Sequence, residues 1–277
     1  MTQIGQFARL TVTKVLDFGY YLDAGELDEV LLPNKLADER YDEGDEVDVF
    51  LYLDSKDKPI ATTQKPKATV GQCAYLTVTD TNRFGAFADW GLDKDLMIPF
   101  AEQHKPLEQG ESYLVYLYID KVDNRITGST KIDKFLTDEN QGKFKAKQAV
   151  HISIANTTDL GIKAVIDHTH WGLIHKSEIF QRLSFGQSKK AFIQHIRPDG
   201  RINLTLNGGS QSRDKDSKKI MDYLAANDGY APFHDKSDAK LISKVFGMSK
   251  GSFKKAIGGL YKSGEITIEK TGIRTTN

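Results

Sequence analysis

This chain of 277 residues holds a single cysteine, Cys73, so no disulfide framework and no thiolate metal cluster can be built from it. A reduced, cytoplasmic setting is the expectation. No apolar run approaches the roughly 18 residues needed to span a bilayer, and the N-terminus lacks the basic-then-apolar plan of a signal peptide. There is no net charge either, with 38 basic residues against 38 acidic ones. No Walker-type phosphate loop occurs, and no Gly-x-Gly-x-x-Gly opens a helix after a strand. A two-metal nuclease needs clustered carboxylates, but the densest acidic run, Asp38 to Asp48, falls in a loop and strand start where solvation accounts for it. No catalytic centre and no small-molecule substrate are expected.

What the chain does have is repetition. Its first half is written twice at a spacing of 66 residues without a gap: Gly5 returns as Gly71, Phe18-Gly19 as Phe84-Gly85, Leu31-Leu32-Pro33 as Met97-Ile98-Pro99, and Gly44 as Gly110. A further shift of 76 residues gives a third copy, with Gly85 on Gly161, Met97-Ile98-Pro99 on Leu173-Ile174-His175, and Asp123-Asn124-Arg125-Ile126 on Asp199-Gly200-Arg201-Ile202. Each unit is large enough to be a small domain, so the array is one of tandem modules and not a solenoid. The neutral total hides a gradient. Residues 1–63 carry 6 basic and 14 acidic side chains, 64–130 carry 7 and 9, 131–206 carry 12 and 7, and 207–277 carry 13 and 8. A polyanion is expected to prefer the C-terminal half, because cationic side chains that release counterions supply much of nucleic-acid affinity.

Within a repeat the apolar residues alternate. Val47, Val49, Leu51 and Leu53 interleave with Phe50 and Tyr52, and Tyr113, Val115, Leu117 and Ile119 with Tyr116 and Tyr118. Period two over about eight residues marks a strand with one face in a core. Turn signals such as Asp57-Lys58-Pro59, Asp123-Asn124 and Pro198-Asp199-Gly200 separate the strands. Several short strands in about 60 residues predict a small five-stranded barrel, which also removes exposed sheet edges. Cys73 takes an inward strand position. Asp167-His168-Thr169-His170 with His175 has the composition of a metal cluster, but the second copy has Leu92 and Lys94 where the two histidines stand, and no metal or cofactor is expected.

Arg83-Phe84-Gly85-Ala86-Phe87 in the second repeat and Trp171-Gly172-Leu173-Ile174-His175-Lys176-Ser177-Glu178 in the third resemble the RNA-binding domain named after ribosomal small-subunit protein S-one, an oligonucleotide-binding (OB) barrel. Three such barrels and the C-terminal segment together resemble the CvfB (conserved virulence factor B) family of bacterial RNA-binding proteins, over essentially the whole chain. The resemblance implies a mainly β fold: OB barrels at 1–63, 64–130 and 149–206, a linker at 131–148, and a small α+β winged helix at 213–277. Such barrels bind single strands across the face of strands two and three. Exposed aromatics there stack on bases with little regard to sequence.

The resemblance places the stacking pair at Phe84 and Phe87 in repeat two and at Phe18 and Tyr21 in repeat one. Repeat three has Leu160 and Lys163 there, losing the rings and gaining a cation. The family's histidine falls on His175 alone, and its arginine on Arg125 and Arg201. Arg83, Lys176 and Lys163 add positive charge. Repeats two and three are therefore expected to engage RNA, with acidic repeat one a spacer or protein contact; the plainer reading of each phenylalanine is barrel core.

After Leu206 the period changes to 3.6. Helices are predicted over Ser217 to Ala226, over Asp235 to Phe246 with Ala239, Leu241, Ile242 and Val245 inward and Gly247 as the stop, and over Lys250 to Lys262 behind Ser249 with Phe253, Ile257, Leu260 and Tyr261 inward. Strands Glu265 to Glu269 and Gly272 to Thr275 complete a winged-helix pattern. Asn207 to Asp216 reads as a flexible linker, and Lys131 to Gln148 as a helix followed by a basic strap. Lys250, Lys254, Lys255 and Lys262 lie on the third helix, and Lys270 and Arg274 on the wing; without Asn, Gln or Arg on that helix, phosphate contact is expected over base reading. The expected partner is single-stranded RNA. The alternatives are a DNA-binding regulator acting through the winged helix and an adaptor whose acidic first repeat docks a basic protein.

Overall fold

The computed structural model describes residues 3–179, 181–206 and 209–276, and the side chains of all of these except 209–214. The chain divides into two compact units after Leu136. In the first unit, β1 (Phe7–Leu16), β2 (Gly19–Asp23), β3 (Glu29–Pro33), β4 (Glu46–Leu53) and β5 (Pro59–Thr62) close into a barrel in the order β1-β2-β3-β5-β4. Strand β1 serves two neighbours. Its first half, Phe7 to Thr11, pairs with β4, and from Thr11 onward it pairs with β2 across a bulge between Val12 and Lys14. The extra residue bends the strand enough to turn a corner of the barrel.

Strands β6 (Cys73–Asn82), β7 (Gly85–Asp89), β8 (Leu96–Pro99), β9 (Ser112–Ile119) and β10 (Ile126–Ser129) repeat the plan, with the bulge between Val78 and Asp80. Here β8 and β10 form no ladder, yet they meet: a Cβ on Gly128 would lie 2.8 Å from the Ile98 side chain and 3.0 Å from that of Leu96. Cys73 is buried in the strand as expected, and burial pushes its thiol up to about 12.

The two barrels of this unit are fused. Strand β4 is buried on both faces: Val47, Val49 and Leu51 fill its own barrel, while Phe50 and Tyr52 join the core built around Leu76, Trp90 and Leu117. The Phe50 and Trp90 rings meet edge to face at 5.7 Å. Full burial of one such ring contributes about 2–3 kcal/mol. Polar contacts seal the seam: Gln6 Nε2 donates to the Val70 carbonyl at 2.8 Å, and Lys94 Nζ donates to the carbonyls of Leu53 and Asp54 at 3.1 and 2.8 Å. Gly5 sits where a Cβ would lie 2.2 Å from Val70, which accounts for one of the repeated glycines. Beyond β10, Phe135 stacks flat on Tyr116 at 4.3 Å.

In the second unit, β11 (Ala149–Thr157), β12 (Gly161–Ile166), β13 (His170–His175), β14 (Ser188–Ile196) and β15 (Ile202–Thr205) close the third barrel in the same order, its bulge falling between Ile154 and Asn156. The helix expected after Lys131 is only a 3-10 turn at Ile132–Lys134. The strap that follows is real: Thr137 bridges to His170 and Glu139 to Arg201, laying residues 137–139 beside the barrel. Its Phe144 enters the third core.

The C-terminal module has α1 (Gly209–Ala226), β16 (Tyr230–Ala231), α2 (Ala239–Phe246), α3 (Lys250–Lys262), β17 (Ile266–Ile268) and β18 (Ile273–Thr275). Helix α1 begins earlier than apolar periodicity showed, so Gly209 to Asp216 is helical and not linker; Asn207 and Gly208 lie outside the described residues. Helix α2 begins later, because the Asp238 carboxylate caps the amides of Lys240 and Leu241. Gly247 closes it in the left-handed conformation at φ 60°, and Ser249 caps α3. The inward face of α2 is Ile242 and Phe246. Ala239, Leu241 and Val245 face solvent instead, as does Tyr261 on α3. Phe246 takes the inner place because it packs against Phe233 and Phe253, both at 5.1 Å, and this turns the helix away from the expected face.

Candidate nucleic-acid interface

The repeated Phe-Gly and its counterparts have a steric cause. A Cβ on Gly19, Gly85 or Gly161 would lie 2.4, 2.3 or 2.0 Å from the carbonyl oxygen of Leu32, Ile98 or Ile174 on the next strand. Only glycine lets β2, β7 and β12 approach that closely, and each carries the next side chains onto an outer face. On barrel two, Phe84 stands at the tip of the β6–β7 hairpin with 56% of its surface exposed, its amide held by Asn82 Oδ1 at 2.9 Å. The Arg83 guanidinium lies over its ring at 4.7 Å. Phe87, on β7 opposite Met97 of β8, is half-buried. Phe84 is thus not a core residue.

Arg125 stands elsewhere. Its Nη2 donates to Asp57 of barrel one, with Asp123 as a second acid at 3.8 Å from its Nε. The hydrogen bond from Arg125 holds the Asp57 carboxyl below the usual carboxylate range. Arg125 is therefore a clamp across the fused pair, while still half exposed. On barrel one, Phe18 is as exposed as Phe84, but Tyr21 is half-buried with Lys14 5.9 Å from its ring centroid, and Lys14 is itself paired with Glu29 at 2.8 Å.

Barrel three gathers cations in place of exposed rings. Lys163 and Arg201, both expected from sequence, line one open cavity of about 420 Å³ together with Leu160, Trp171, Arg197 and Asn203. Arg197 pairs with Asp199 at 3.0 Å. His175 faces Asn203, which is 4% exposed, and the Asn203 amide nitrogen lies 3.1 Å from Nε2 of both His175 and His195. One buried amide thereby orients two imidazoles. Lys176 is exposed in the 3-10 turn after β13. Sequence reasoning missed Trp171, Asn203, His195 and Arg197. For Trp171 a signal existed: the repeat register sets it against Asp95 and Glu29, an aromatic in place of two acids.

On the winged helix, Lys254, Lys255 and Lys262 share the exposed side of α3 with Gly258 and Gly259, beside which a Cβ would meet nothing within 4 Å. Lys250 Nζ donates to the Lys236 carbonyl at 3.2 Å, and Lys254 lies 3.9 Å from Asp235. Lys270 is exposed at the wing tip, while Arg274 lies over the Tyr230 ring at 4.9 Å and near Glu269 at 3.5 Å. Among the described residues no group of three or more His, Cys, Asp or Glu side chains is arranged to hold a metal ion. No helix there is long and apolar enough to cross a membrane.

A family model described as S1 domain matches residues 4–64 and again 70–131, and one described as CvfB-like winged helix domain matches residues 218–274. The uncharacterized protein YitL of Bacillus subtilis is 30% identical, over 96% of this chain and 91% of that protein. Conserved virulence factor B of Staphylococcus saprophyticus is 30% identical over 84% of this chain and 80% of its own length, and its Staphylococcus aureus counterpart is 29% identical over 86% and 82%. A crystal structure of a multidomain protein with nucleic acid binding domains from Streptococcus pneumoniae aligns with 99% of this chain and 98% of that one, at 25% identity and a TM-score of 0.41.

Proposed function

This chain belongs to the conserved virulence factor B family, and we propose that it is a non-catalytic, cytoplasmic protein that holds single-stranded RNA and regulates gene expression after transcription. Nucleic-acid binding follows from its S1 domains and winged helix; the choice of RNA rests on the barrel faces. The observation that carries it is Phe84, whose ring is 56% exposed at the hairpin tip beside the Arg83 guanidinium, outside the barrel core, and is set for a base to stack on. Phe87 extends that platform on barrel two. Barrel three contributes Lys163, Lys176, Arg201 and His175. Linked sites of modest individual strength gain from effective concentration on one strand.

The test is fluorescence anisotropy with a labelled single-stranded RNA, its DNA analogue and a DNA duplex, titrated across salt. RNA is expected to bind best, and Phe84→Ala with Phe87→Ala to weaken it without changing the salt slope, since stacking releases no counterions. A second reading has one observation behind it: the lysine face of α3, bearing Lys254, Lys255 and Lys262, suits a phosphate backbone. If the duplex outcompetes RNA and truncation before α1 removes that binding, the protein is a DNA-binding regulator and the barrel assignment fails.

A further inference from the structure

The bulge residue of β1 and β6 is a threonine tied to an acid at the start of the third strand (Glu29) or just before it (Asp95). Thr13 Oγ1 donates to Glu29 at 3.0 Å in barrel one, and Thr79 Oγ1 donates to Asp95 at 2.7 Å in barrel two. In barrel three both partners change together. The bulge residue is Ala155 and the acid position is Trp171, so the polar couple is replaced by a small residue and an indole. Trp171 lies in strand register opposite Val165, two places from Lys163 along β12, on the same outer side. It is 6% exposed and lines that cavity, where Asp138 and Asp159 stand beside Lys163, Arg197 and Arg201, and its Nε1 is buried without a hydrogen-bond partner. The Lys163 ammonium is what lies over the ring, 3.9 Å from its centroid.

A buried indole N–H without an acceptor is uncommon, because the group loses its water and gains nothing. An indole face covered by a flexible cation is a different matter from one covered by core. Lysine is a mobile point charge that follows a phosphate readily, and the cation–π contact it leaves is replaced when a base stacks on the ring. We propose that Trp171 is a covered stacking platform for a nucleobase of single-stranded nucleic acid, and that Lys163 is its displaceable cover, moving from the ring to a backbone phosphate as the strand enters. This rests on the reading of the barrels as RNA-binding. It gives barrel three the ring that its Leu160 and Lys163 positions lack, one strand further on. Arg197 and Arg201 at the same cavity supply the phosphate side. Barrels one and two cannot do this, since an acid occupies the position.

The test uses the two tryptophans of the chain separately. In Trp90→Phe, checked for folding by circular dichroism, Trp171 is the sole indole; Trp171→Phe in the otherwise intact chain is the complementary variant if the first is unstable. Single-stranded RNA of about 12 nucleotides is titrated while anisotropy of an RNA label and indole emission are read together. Binding is expected to quench Trp171 emission. Trp171→Leu is expected to lower affinity by roughly tenfold with an unchanged salt slope, the size of one lost stacking contact. Lys163→Met is expected to keep the quenching, to raise the acrylamide accessibility of Trp171 in the free protein, and to lower the salt slope by about one. If RNA binds by anisotropy while Trp171 emission stays constant and Trp171→Leu binds like the parent, the indole is packing and the proposal is overturned, with RNA binding left standing on the other faces. If the parent binds no RNA even at low salt, the functional reading falls and this inference falls with it.

Discussion

Barrels two and three share a frame down to its irregularities, yet turn opposite chemistry outward. Both bend their first strand at a bulge in the same register, and both need a glycine where strand two crowds strand three. On that frame barrel two has Phe87 next to the polar couple of Thr79 and Asp95, whereas barrel three has Lys163 over Trp171. A ring beside a polar pair becomes a cation over a ring. The frame is fixed by close backbone approach, which tolerates no substitution. The outer face obeys only alternation, so it is free to be rewritten. The two barrels also differ in what holds them: barrel two shares its core with barrel one through Phe50 and Tyr52, while barrel three closes on itself with help from a strap.

The largest expected effect breaks that second difference. Phe50→Ala should cost about 3–5 kcal/mol, the range for emptying a buried aromatic site. Because Phe50 belongs to barrel one by sequence and to barrel two by packing, denaturant melts should show both barrels losing stability together. Emission from Trp171, in the other compact unit, should keep the midpoint of the parent. A loss confined to barrel one would mean that the seam contributes little to barrel two.

Next come the faces. Phe84→Ala alone should weaken single-stranded RNA binding by about 1–3 kcal/mol with the slope of log K against log salt unchanged. Arg201→Ala should instead lower that slope by about one while weakening binding modestly. Anisotropy across a salt series checks both. Equal slopes for the two variants would erase the distinction between a stacking barrel and a phosphate-gripping barrel.

How much of this was legible in the sequence depends on which physical term decided the matter. Barrel strands follow from period two, and the caps Ser249 and Gly247 from local backbone chemistry, so the mainly β fold and the third helix could be read directly. The faces of α2 could not. Leu241 and Val245 are as apolar as Ile242, and only the aromatic packing around Phe246 chose between two equally apolar stripes. The same limit applied at the interface. Phe84 stands on its face because the Phe-Gly turn fixes it locally. Arg125, in the corresponding turn motif to Arg201, is drawn to Asp57, an acid 68 positions away whose nearness is a product of the seam. Trp171 was hidden because its ring is covered by a side chain from another strand.

The smallest effect sharpens the comparison at one register position, where barrel two has Lys94 and barrel three His170. Both are pushed toward their neutral forms first by burial, but they answer it differently. Lys94 Nζ finds two carbonyl acceptors across the seam, while His170 is buried beside Thr169 and the edge of Phe144, with Lys143 adding to the depression. Its folded-state value is thus lowered below the roughly 6.5 of an unfolded histidine. Between the two values the unfolded chain binds more protons than the native one, so stability rises with pH through that window and is lost as pH falls below about 6.5. Thermal melts from about pH 7.5 to about pH 5.5 should show the transition of barrel three moving down, and His170→Phe should flatten that dependence. Other titrating groups contribute to both proteins alike, so the difference between the two pH slopes isolates the imidazole. An unchanged slope in His170→Phe would mean that the ring accepts its proton without leaving the barrel, and that the contrast with Lys94 carries no energetic weight.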